Sequence, residues 1–131
     1  MQVVIDTNIV ISAALSQQGN PARIIRFIAD NDDVKFYYSK NILAEYKKVL
    51  AYARLKISLE TQEKILAILT ENGILIDPEP DPSDIALPDE TDRIFYDMAI
   101  SANAYLITGN IKHYPNEEFI LTPAQFVESI T

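Results

Sequence analysis

Cysteine is absent from the 131 residues, which excludes disulfides and thiolate metal sites. A single histidine, His113, is too few for a His-rich zinc site. No stretch approaches the roughly 18 apolar residues that span a bilayer, so no membrane association is expected. The opening Met1-Gln2-Val3-Val4-Ile5-Asp6 has no basic region ahead of its apolar stretch, and an acid interrupts it at once. It does not read as a signal peptide, and a cytoplasmic location is the default expectation. Basic residues are also scarce, 11 against 19 acidic ones, for a formal charge of −8. Proteins that grip nucleic acid over a broad face need cationic patches to release phosphate counterions. Any such contact here must be local, made by a few basic residues and a carboxylate-bound cation.

What is present is an ordinary globular composition, 48% apolar, of a length that suits one domain over 1–131 with one core. The acidity is uneven. Seven acids crowd between Asp77 and Asp92, together with four of the seven prolines. That stretch reads as a solvated loop, or as a lid or partner-docking loop.

Apolar β-branched Gln2 to Ile5 predicts a strand buried on both faces. A helix is expected from Asn8 to Leu15, and Gly19-Asn20-Pro21 opens a second with Pro21 in its first position. Val34 to Tyr38 is the second strand. Ser39 is a candidate N-cap for a helix running to about Ala53. Another helix begins near Ser58 and ends at Gly73, where a left-handed C-cap is expected. Ile74 to Ile76 is the third strand. A helix from Asp89 or Asp92 to Asn103 follows, then strands at Tyr105–Thr108 and Phe119–Leu121. Thr122 caps a terminal helix with Pro123 at its start. Strands alternating with helices predict a three-layer α/β/α fold around a doubly wound, mainly parallel five-stranded sheet.

Such sheets bind ligands outside the carboxyl ends of their strands. Asp6 follows the first strand, Glu45 lies in the helix after the second, Asp92 starts the helix leading into the fourth, and Asn110 follows the fourth. Four oxygen-bearing side chains are thus directed to one edge, where a hard cation such as Mg²⁺ needs only a few carboxylates. Glu45 falls on the border of the stripe formed by Ile42, Leu43, Tyr46, Val49, Leu50 and Ala53, so it can lean over the sheet edge. Asp92 and Asp97 are about 140 degrees apart round a helix, so both serve one site only if Asp92 sits at its entrance. Asp97 is an outer ligand, a second-metal ligand or a structural acid.

Val4-Ile5-Asp6-Thr7-Asn8 resembles the opening motif of PIN domains. Ser39-Lys40-Asn41-Ile42-Leu43-Ala44-Glu45-Tyr46 resembles the second motif, and Asp92-Arg93-Ile94-Phe95-Tyr96-Asp97-Met98-Ala99 the third. Tyr105-Leu106-Ile107-Thr108-Gly109-Asn110, followed by Lys112-His113-Tyr114-Pro115, resembles the fourth. The ordered set covers nearly the whole chain and is most similar to VapC-related toxin components of toxin–antitoxin pairs. The resemblance implies a Mg²⁺- or Mn²⁺-dependent endoribonuclease, often a homodimer restrained by a small antitoxin. It makes Asp6, Glu45 and Asp92 catalytic metal ligands, with Asp97 and Asn110 as further candidates. Asn110 stands where many PIN domains carry a fourth acid, which bears on a second metal. Thr7 or Asn8 would orient Asp6 or a water, with Thr108 and Ser39 supporting the site. Lys40, Arg93 and Lys112, each beside a site residue, are candidate RNA contacts. His113 either touches phosphate or packs on Tyr114.

Other readings fit less well. A PIN-fold module that binds without cleaving would act through dimerisation or antitoxin capture. A haloacid-dehalogenase-type phosphatase wants a second Asp where this chain has Asn8. A receiver domain wants an acidic pair before its phosphorylated Asp, which is not evident.

Overall fold

The computed structural model describes residues 1–131. Val3, Val4 and Ile5 of β1 (Gln2–Ile5) are fully buried, as a strand covered on both faces requires. Helices α1 (Thr7–Leu15) and α2 (Asn20–Asp30) lead to β2 (Lys35–Tyr38). Then come α3 (Lys40–Leu50), α4 (Leu59–Asn72), β3 (Gly73–Leu75), α5 (Arg93–Ala102), β4 (Tyr105–Ile107), β5 (Ile120–Leu121) and α6 (Pro123–Ile130). All pairings are parallel, in the order β3-β2-β1-β4-β5. Helices cover both faces in a three-layer α/β/α arrangement, α5 packing on β1, β4 and β2. None is long and apolar enough to cross a membrane.

The chain winds outward from β1 through β2 to β3, then returns to add β4 and β5 on β1's other side. Doubly wound sheets bind ligands at such a reversal, beyond the carboxyl ends of the strands that flank it, here β1 and β4. Asp6 stands there, immediately after β1.

The caps at Ser39 and Thr122 form as expected, and Ser58 also caps its helix, each side-chain oxygen accepting from a backbone N–H of the first turn. Thr122 and Gln125 complete a reciprocal capping box. Two local expectations are corrected. The helix after Ser39 stops at Leu50, and Ala53–Leu55 forms a separate 3-10 turn ending in left-handed Lys56. Gly73 is not a left-handed cap: its φ of −101° and ψ of 165° are extended, and it begins β3.

Glycine is required at 73 for space. A Cβ there would lie 2.5 Å from the Leu69 carbonyl oxygen and 2.8 Å from both the Phe36 and Tyr38 rings. Those rings stack at 5.7 Å and cannot both retreat. Gly73→Ala is therefore expected to destabilise the fold by about 2 kcal/mol through overpacking, read as a lower urea midpoint. An unchanged midpoint would show that β3 shifts without cost.

Candidate active site

Asp6 extends the β1 ladder by one residue, its N–H donating to the Ile107 carbonyl at 3.0 Å. Its side chain is buried, only 5% exposed. One carboxylate oxygen accepts from the Thr108 hydroxyl at 2.8 Å and from the Tyr114 hydroxyl at 3.0 Å. Burial raises the Asp6 pKa, and these hydrogen bonds oppose the rise without cancelling it. The Tyr114 phenol is itself pushed far up, by burial and then by the negative charge of Asp6 and Asp92. It therefore stays protonated and remains a donor. Fully buried Thr108 also accepts the Asn110 N–H at 3.0 Å, so one hydroxyl joins the ends of β1 and β4.

Tyr46 fixes α3 to the same place. Its buried hydroxyl donates to the Ile5 carbonyl at 2.6 Å, and its ring stacks on Phe95 of α5. Half-buried Glu45 immediately precedes it in the helix. Asn8 accepts the Gly109 N–H at 3.2 Å, tying the start of α1 to the loop after β4. The Thr7 hydroxyl oxygen is buried without a hydrogen-bond partner.

Asp92 does sit at the entrance of α5, at the end of a 3-10 turn over Glu90–Asp92. Its carboxyl is pushed up to about 6, by burial first and then by the charges of Asp6 and Asp89. His113 approaches with Nδ1 at 3.2 Å from Asp92 Oδ2. A second 3-10 turn, Ile111–His113, carries the ring there, with exposed Asn110 at its N-cap. Asp89, Asp92 and His113 each present a ligand atom within 4.8 Å of the other two. Asp89 accepts the Thr91 N–H at 3.0 Å and hydroxyl at 2.7 Å, which hold its carboxyl below the usual range.

Other sequence-selected residues face different partners. Buried Asp97 accepts the Ser83 N–H at 3.3 Å and lies 3.5 Å from the Arg93 guanidinium. Arg93 further binds Glu90 at 2.6 Å and the carbonyls of Ser83 and Ile85 at 3.1 and 2.7 Å. Lys40 lies 3.0 Å from Asp77. Lys112 is exposed. Sequence reading did not assign Asp89, Tyr46 or Tyr114 to the site. For Tyr114 the available signal was a hydroxyl-bearing residue soon after the fourth strand; for Tyr46, its place beside Glu45.

The donor set suits a hard divalent cation. It offers the Asp89 and Asp92 carboxylates and the His113 imidazole within 4.8 Å of one another, with buried Asp6 acting on Asp92 through its charge. Asp92, whose carboxyl is raised first by burial and then by the charges of Asp6 and Asp89, gains from a cation that offsets those charges.

A family model described as a PIN domain matches residues 2–112. A protein of Methanocaldococcus jannaschii, itself uncharacterised, is 32% identical over 111 residues, covering 84% of this chain and 71% of its own. No solved structure matches the chain. With the sheet order and the acids at its carboxyl edge, the match over most of its length makes this chain a member of the PIN domain family.

Proposed function

We propose that this protein is a divalent-metal-dependent endoribonuclease. PIN domains are generally nucleases that use divalent metals, and an acidic group able to hold one lies at the carboxyl edge of this sheet. The observation that carries the reading is Asp6, buried at the reversal of the sheet, held by Thr108 and Tyr114 and electrostatically coupled to Asp92. Asp92 groups with Asp89 and His113, whose ligand atoms lie within 4.8 Å of one another; Asp6 and Glu45 fall outside that group and would complete the cation's ligands as the resemblance implies. When bound, Mg²⁺ or Mn²⁺ acidifies a water and offsets charge on the phosphoryl oxygens. Thr108 and Tyr114 fix the Asp6 carboxylate so that it does not reorganise during the reaction. His113, with Nδ1 at Asp92, orients that carboxylate. The water oxygen adds to phosphorus as the bond to the leaving sugar oxygen breaks. By its resemblance to VapC-related proteins, the chain is proposed as the toxin component of a cytoplasmic toxin–antitoxin pair, acting as a homodimer restrained by a small antitoxin. Asn110 in place of a fourth acid favours a second reading, a catalytically weak module that binds a partner.

The test is incubation of purified protein with mixed single-stranded RNAs in Mn²⁺, Mg²⁺ or chelator. Cleavage is expected with either metal, absent in chelator and absent in Asp6→Asn. Cutting that persists in chelator or survives that substitution would reject the metal-nuclease reading.

A further inference from the structure

The acidic segment between β3 and α5 is fastened at both ends. Near β3, Glu79 accepts hydrogen bonds from the Ser39 hydroxyl and from Asn41 Nδ2. Near α5, the segment is gathered by Arg93, the first residue of that helix, whose side chain is only 20% exposed. Its Nε and Nη2 meet the two carboxylate oxygens of Glu90 at 2.6 and 3.0 Å, a two-pronged pair. Nη2 also donates to the Ile85 carbonyl at 2.7 Å, and Nη1 to the Ser83 carbonyl at 3.1 Å and hydroxyl at 3.2 Å. Asp97, one turn along α5, faces Nη1 from 3.5 Å and takes the Ser83 N–H with the same oxygen. Every nitrogen of the guanidinium is thus engaged within the chain.

What Arg93 holds lies beside the acids. Glu90 begins the 3-10 turn Glu90–Asp92, one residue after Asp89 and two before Asp92. Its carboxylate takes the Leu87 N–H at 3.2 Å as well as the guanidinium, and its carbonyl takes the Arg93 N–H. Leu87 is itself buried in the core. The turn that presents Asp89 and Asp92 to His113 is therefore pinned through Glu90 at its start and by Arg93 at its end. A lysine could not replace this arginine, because one ammonium has no planar fork with which to reach Glu90, Ile85 and Ser83 together.

We infer that Arg93 is a positioning residue for the cation site: through Glu90 and the Ser83 and Ile85 carbonyls it fixes the turn that carries Asp89 and Asp92, instead of meeting RNA. Buried Asp97 is then its counter-charge. That role rests on the divalent-cation part of the nuclease reading.

Binding of Mn²⁺, read from the electron paramagnetic resonance of the free ion, tests this without RNA. Arg93→Lys keeps the charge and is expected to bind Mn²⁺ about tenfold more weakly. Glu90→Ala should lose several-fold, and adding it to Arg93→Lys should cost little more, since both undo one fork. Gly73→Ala, destabilised where β3 begins, should bind within about twofold of the wild type. An RNA contact would behave differently: Arg93→Lys would keep its Mn²⁺ affinity, and Arg93→Ala would raise KM for RNA with kcat unchanged. Wild-type Mn²⁺ affinity in an Arg93→Lys protein with native circular dichroism, or an equal loss in Gly73→Ala, would overturn the positioning role. Should Arg93→Lys fail to fold, Glu90→Ala, which cuts the fork from its 60% exposed side, must still show the loss. Cleavage is scored separately. A wild type that binds Mn²⁺ but leaves RNA intact rejects the nuclease reading, and the Mn²⁺ comparison still decides the role of Arg93.

Discussion

Asp92→Asn is expected to raise the melting temperature of the metal-free protein by about 5–10 °C at pH 7.5, while cutting Mn²⁺-dependent cleavage by about 10³-fold. Both effects have one origin. The Asp92 carboxyl ionises near 3.8 in the unfolded chain and near 6 in the fold, where burial and the charges of Asp6 and Asp89 oppose it. That difference amounts to about 3 kcal/mol. Between those two values the folded state retains a proton that the unfolded chain has lost. Stability from this group therefore falls as pH rises through that window, and the full cost is present above it. Asparagine carries no charge at any pH. The gain in melting temperature should thus be near zero at pH 3.5, grow between pH 4 and 6, and level off above 7. Mn²⁺ should raise the wild-type melting temperature more than that of the variant, because the cation offsets the repulsion that asparagine removes. A gain independent of pH would mean that the amide merely packs better, and would reject this account.

Tyr114→Phe should lower cation affinity by about 10–100-fold, measured by calorimetry or by the electron paramagnetic resonance of free Mn²⁺. The substitution deletes one hydroxyl. The ring's stacking on Tyr96, at 6.4 Å, remains, so the fold should persist. What is lost is a donor to a buried carboxylate whose pKa burial already raises. Without it the Asp6 pKa climbs further, and protons compete with the cation more effectively at acidic pH. Thr108→Val should act in the same direction, since it removes the 2.8 Å donor to the same oxygen. Unchanged affinity in both variants would remove Asp6 from the cation's ligands.

The elements were legible in the sequence where local chemistry decides them. Ser39 and Thr122 cap helices because a hydroxyl satisfies first-turn N–H groups wherever the fold lies. The placement of Asp6 and Asp92 at one edge follows from alternation of strands and helices, and the entrance position of Asp92 from helical geometry. The rest depends on contacts between distant residues. Gly73 serves two aromatic rings from β2 instead of a local turn. The stop of α3 at Leu50 is marked by neither glycine nor proline. The partners of Arg93 and Asp97 in the acidic segment between β3 and α5 leave no periodic trace, because that segment has no repeating structure. The clamp of Glu79 on Ser39 spans 40 residues, and no spacing rule links the two.

The bonds that hold Asp6 have a consequence for the order in which this chain becomes competent. Thr108 and Tyr114 lie 102 and 108 residues beyond it. At about 5–20 residues per second, ribosomal synthesis makes Asp6 several seconds before either partner. Its neighbour on that side of the sheet, β4, is equally late. A nascent chain still lacking β4 carries the first acid of the site without the groups that orient it. The arrangement thus acts as a timer: the first acid of the site gains its final orientation only after β4 and the turn that follows it have been made.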